Sequence, residues 1–154
     1  MRKLLFPSVL LFALTLSPVW AADVPGMIKK PSPYSAEETL NRLERVLQKK
    51  GVTVVLRWDH AAKASQVDID LGPTELLLFG KPEMGSQIFT SAQSAGIDLP
   101  MKAIAWTDDE GQTWLGYNDP AWIAERHGID DRDKVVNKMR NALGKMSDAA
   151  VAKE

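Results

Sequence analysis

The segment from Ser35 to Trp58 constrains the fold most, because a helix and a strand meet in it with a single glycine between them. Ser35 followed by Glu38 has the spacing of a capping box, and Ala36, Leu40, Leu43, Val46 and Leu47 recur at helical spacing until Gly51 stops the run. Glu37, Arg42, Glu44, Lys49 and Lys50 occupy the opposite side. Val52-Thr53-Val54-Val55-Leu56-Arg57-Trp58 is β-branched and aromatic, which predicts a strand leaving the helix directly. A helix with one apolar stripe, delivered straight into a strand, must lay that stripe on a sheet or on another helix.

The other elements repeat this alternation. Met27 to Lys30 reads as a first strand closed by Pro31-Ser32-Pro33, and Asp59 caps a short alanine-rich helix through Ala64. Glu75 to Phe79 is a continuous apolar strand between Gly72-Pro73 and Gly80-Lys81-Pro82, and a helix is expected from about Gly85 to Ala95. Met101 to Trp106 alternates, Thr107-Asp108-Asp109-Glu110-Gly111 has hairpin-turn composition, and Gln112 to Tyr117 returns as the partner strand. Asp119-Pro120 opens a helix ending at His127-Gly128. A last helix from about Asp131 carries Val135, Met139, Leu143 and Met146, and the tail past Asp148 is expected to fray. The order predicts a single compact α+β domain with a largely antiparallel sheet and packed helices: residues 1–21 a leader, 22–128 the core, 129–154 a C-terminal helix and tail.

That leader has the layout of a cleavable signal peptide: Arg2-Lys3, an apolar run from Leu4 to Leu16, then Val19 and Ala21 at the two positions the peptidase selects. The apolar run falls short of the roughly 20 residues a bilayer span needs. Cleavage is expected after Ala21, giving a periplasmic or secreted protein with no membrane anchor. The chain has no cysteine, so neither a lipid anchor nor disulfides are available and the fold must rest on its core. The net charge of −1 becomes −3 once Arg2 and Lys3 leave, which argues against nucleic acid as a partner.

Four segments, taken together, resemble a bacterial family known as domain of unknown function 302. They are Val55-Leu56-Arg57-Trp58-Asp59-His60-Ala61-Ala62-Lys63-Ala64, Pro73-Thr74-Glu75-Leu76-Leu77-Leu78-Phe79-Gly80-Lys81-Pro82, Asp98-Leu99-Pro100-Met101-Lys102 and Tyr117-Asn118-Asp119-Pro120. The resemblance covers roughly residues 26 to 128, with Gly80-Lys81-Pro82 standing where the family usually has Gly-Asn-Pro. It implies a fold similar to the TATA-box-binding-protein-like class without that class's nucleic-acid role. It brings no agreed activity.

Candidate chemistry is sparse. Asp59-His60 sits at a strand–helix junction, where a carboxylate beside an imidazole suits acid/base work in a hydrolase or isomerase; the competing reading makes Asp59 a cap. His127, near a helix end, suits a dipole-capping cation. A ligand-binding or interaction module is the leading reading, with His60, Asp98, Trp106, Tyr117 and Asp119 as candidate contacts and a small apolar ligand or a periplasmic protein as partner. Trp58, Trp106, Trp114, Tyr117 and Trp122 are the aromatics available to an apolar pocket. No cofactor is expected. A metal or non-covalent haem carrier is the third reading, through His60 or through the scattered methionines Met27, Met84, Met101, Met139 and Met146 as copper ligands. A homodimer is the default assembly.

Overall fold

The computed structural model describes residues 24–153, so the expected signal peptide lies outside the described residues. The elements run β1 (Met27–Ser32), α1 (Ala36–Lys49), β2 (Thr53–Asp59), α2 (His60–Ser65), β3 (Thr74–Gly80), α3 (Pro82–Phe89), a 3₁₀ turn (Gln93–Ile97), β4 (Met101–Thr107), β5 (Thr113–Asn118), α4 (Pro120–Arg126) and α5 (Asp133–Val151). The strands form one five-stranded sheet in the order β1-β5-β4-β3-β2, antiparallel at every pairing. This is the α+β architecture that the alternation of elements predicts.

Strand alternation divides the sheet into two faces. Leu77 and Phe79 of β3, Met101, Ala103 and Ala105 of β4, and Leu115 and Tyr117 of β5 are buried under the helices. The alanines leave room for α1, whose Ala36, Leu40, Leu43 and Leu47 are almost fully buried. Each of those leucines contributes about 1.5–3 kcal/mol by leaving water. The opposite face carries Leu76, Leu78, Ile104, Trp106 and Trp114, all half-buried, together with exposed Leu56 and Trp58.

Local chemistry explains where the elements differ from expectation. Ser35 caps α1 by accepting from Glu38 N at 3.1 Å, but the Glu38 carboxylate turns to Asn41 and Arg45, so only half of the capping box forms. β1 continues through Pro31 to Ser32; as an edge strand bonded only to β5, it tolerates the missing N–H. α3 begins at Pro82 rather than near Gly85, because a proline at the first helical position presets the backbone angle, and the chain past Phe89 tightens into the 3₁₀ turn. In α5 the buried stripe is Val136, Leu143, Met146, Ser147 and Ala150, while Val135 and Met139 are half-buried beside it.

The expected fraying past Asp148 does not occur. Ala150 is fully buried, and α5 continues to Val151 because its last carbonyls are capped from the other end of the domain. Arg42 Nε donates to Ala150 O at 2.8 Å, Arg42 Nη2 to Ala152 O at 3.0 Å, and Tyr34 Oη to Ala152 O at 2.9 Å. The C-terminal helix packs on α1 and belongs to the core it was expected to follow.

Candidate functional site

The candidate contacts chosen from sequence do not share a cavity. Trp106 pairs with Trp114 on the open face of the sheet, whereas Tyr117 pairs with Ala103 on the helix face, buried, with Ser147 Oγ 3.3 Å from its hydroxyl. Asp119 is the N-cap of α4, accepting from Ala121 N at 2.9 Å and pairing with Arg140 Nε at 3.0 Å. The aromatics divide likewise: Trp58, Trp106 and Trp114 lie on the open face, Tyr117 in the core, and the Trp122 ring against Gly26.

The Asp59-His60 pair does not form a dyad. Asp59 Oδ1 accepts from Ala62 N at 2.8 Å and so caps α2, and His60 makes no side-chain hydrogen bond among the described residues. In the hairpin turn, Asp108 is likewise committed locally. Its Oδ2 accepts from Trp114 Nε1 at 2.7 Å and its Oδ1 from the Gln112 and Glu110 amides; the indole bond, first among these, lowers the carboxyl's pKa below the ordinary value.

A different histidine is engaged. His127, the C-cap residue of α4, places Nε2 2.7 Å from Asp98 Oδ2 and Nδ1 2.9 Å from Ser94 Oγ, with Arg126 Nη1 3.2 Å from the other Asp98 oxygen. Ring and carboxylate are each about nine-tenths buried, while Ser94 is exposed. Hydroxyl, imidazole and carboxylate thus stand in one hydrogen-bonded line, with the connectivity that activates a serine nucleophile. The same line also ties the 3₁₀ turn to the end of α4.

A groove of about 1030 Å³ lies between the C-terminal end of β3, the start of α3 and the long helix α5. Phe79, Met101, Leu143 and Met146 form its buried floor, with Met84 and Met139 half-buried beside them. Lys50, Lys81, Lys134, Lys138 and Lys145 stand around it, all exposed, against Glu83 as the one acid. None of the five lysines has an ion pair or side-chain hydrogen bond among the described residues. Every described arginine, by contrast, has a partner. Four methionines that are scattered in the sequence therefore meet in one place. Of all these residues, only Met139, Leu143 and Met146 fall on a stripe visible beforehand; the locally legible hint to the rest was the spacing of Lys134, Lys138 and Lys145 on one side of α5.

Among the described residues no helix is long and apolar enough to cross a membrane, and no three His, Asp or Glu side chains are grouped to hold a metal ion.

Comparison with known proteins agrees with this fold. The chain is similar to proteins named "Fluoride-specific ion channel FluC 1" from Brucella suis biovar 1 (strain 1330) and from Brucella abortus biovar 1 (strain 9-941). Each is 37% identical over 120 residues, or 77% of this chain. The matched part covers only 47% and 44% of those proteins, so the chain spans less than half their length. A solved structure, that of an uncharacterized conserved protein DUF302 from Bacillus stearothermophilus, superimposes with a TM-score of 0.74 over 82% of this chain and 99% of the other. At 18% identity it establishes the fold alone. The family described as "Domain of unknown function DUF302" matches residues 28–146, and on that match this chain belongs to it.

Proposed function

We propose that this protein is a non-catalytic binding module acting in the periplasm after removal of its leader, with the groove beside α5 as its site. The observation that carries the reading is the groove: an apolar concavity the size of a small-molecule site, ringed by cations that have no ion pair or side-chain hydrogen bond among the described residues. The Brucella proteins support it indirectly. There a domain like this one makes up less than half of a longer chain whose name is that of an ion channel. A domain that forms part of a larger protein is suited to recognising a ligand or a neighbouring protein on its behalf, and here the groove supplies the site for it. Native mass spectrometry of protein purified from the cell envelope, followed by a thermal-shift screen, tests the reading. A bound small molecule, or a shift of several degrees with an apolar ligand, supports it. A protein that is empty and unresponsive to every ligand class contradicts it.

The line Ser94–His127–Asp98 favours one second reading, a hydrolase in which His127 takes the Ser94 proton and Asp98 holds the ring. It predicts esterase turnover of p-nitrophenyl acetate that Ser94→Ala abolishes at unchanged melting temperature. Equal background rates for wild type and variant remove it, and leave the line as a strut between the 3₁₀ turn and α4.

A further inference from the structure

We infer that the ligand of this groove is a freely diffusing single-chain anionic amphiphile, its carboxylate or phosphate head held by the lysines and its alkyl chain laid on the methionine floor. The inference rests on the reading of the groove as the binding site and adds to it the chemistry of the occupant.

Charge is the first ground. The rim carries five lysines and one glutamate, a local excess of four positive charges on a protein whose net charge is −1 over the whole sequence. Elsewhere the arginines and Lys30 are matched, Lys30 with Asp148, Arg57 with Glu75, Arg126 with Asp98 and Arg140 with Asp119, and the lysines without an ion pair, such as Lys49, Lys63 and Lys153, are not gathered around the groove. Lysines that outnumber the carboxylates at one concavity repel one another and are eased by an anion.

Layout is the second ground. Lys134, Lys138 and Lys145 follow one another on one side of α5 over eleven residues, about 16 Å at 1.5 Å per residue. Met139 and Met146 lie one position further round, half-buried and buried. A cationic rail therefore runs parallel to an apolar one. That pattern fits a molecule with a charged end and an apolar body; a compact anion such as inorganic phosphate would leave the floor unused.

The floor is the third ground. Met84, Met101, Met139 and Met146 give it polarizable, unbranched side chains that adapt to a flexible chain and supply no fixed hydrogen-bond donors. Because the apolar surface lies at the bottom of a concavity below the lysine heads, it suits a monomeric amphiphile and not the flat surface of a bilayer.

The test is calorimetric titration of the purified protein with dodecanoate, with dodecyltrimethylammonium of equal chain length, and with phosphatidylglycerol vesicles. Dodecanoate is expected to bind about tenfold tighter than the cationic analogue. Combining Lys134→Glu with Lys138→Glu is expected to remove that preference or invert it, at unchanged melting temperature because both lysines are exposed and have no ion pair among the described residues. Met139→Glu is expected to weaken both ligands. Equal affinity for the two amphiphiles, or no response to charge reversal, overturns the inference while the groove stands as a binding site. Binding to vesicles without binding to monomers also overturns it. If neither amphiphile nor any other apolar ligand binds, the underlying reading of the groove falls as well.

Discussion

At the scale of single residues, two positions carry strong expectations. Gly26 has φ +76°, a left-handed conformation, and a Cβ built there would lie 2.2 Å from Cγ and Cδ2 of Trp122. Gly26→Ala therefore meets both backbone strain and the near edge of an indole ring, close to where the ring joins its own backbone. We expect a loss of more than ~2 kcal/mol in urea unfolding; a variant within 0.5 kcal/mol of wild type, about the scatter of ordinary surface changes, contradicts the packing. Asp108 is the second. The Trp114 indole bond lowers its folded pKa below the ordinary value of 3.8, so the stability it contributes is present above that value and is lost as pH falls through the lower folded pKa. Asp108→Asn should thus be less stable than wild type at pH 7, with the gap closing below about pH 4. Equal gaps at pH 7 and pH 3 in parallel denaturation curves contradict the assignment.

At the scale of elements, what was legible in the sequence depended on whether the signal was local. The Ser35 cap, the leucine spacing of α1, the β4–β5 hairpin and the Asp119-Pro120 start of α4 all carry their instructions within a few residues, and each forms where expected. The end of α5 does not. Nothing near Asp148 announces that Arg42 and Tyr34, more than a hundred residues earlier, cap Ala150 and Ala152, so sequence reading expects a frayed tail. Deleting the chain after Asp148 removes a fully buried Ala150 and these caps together. We expect a loss of about 2 kcal/mol, seen as a melting temperature lower by roughly 5–10 °C. A truncated protein melting within 1 °C of the full chain, far less than even 1 kcal/mol shifts a domain of this size, contradicts the docking of α5's last turn.

At the scale of the whole molecule, the candidate site shows the limit of reading residues in sequence. Asp59-His60 drew attention because its members are neighbours in the chain, yet the cap takes the carboxylate away from the ring. The lysine-rimmed groove is assembled from the end of α1, the turn from β3 into α3, the start of β4 and the length of α5, so no segment holds enough of it to form a motif. Only the antiparallel return of the sheet and the long diagonal of α5 bring the four methionines together. The fifth methionine outside the expected leader, Met27, pairs with Asn118 on the opposite face of the sheet and is a built-in control.

Methyl NMR of the methionines during titration with dodecanoate reads the groove itself. Met84, Met101, Met139 and Met146 are expected to shift together along one saturable curve while Met27 stays in place. Shifts confined to Met27, or none at any methionine when calorimetry reports binding, would place the ligand elsewhere and contradict the groove as its site.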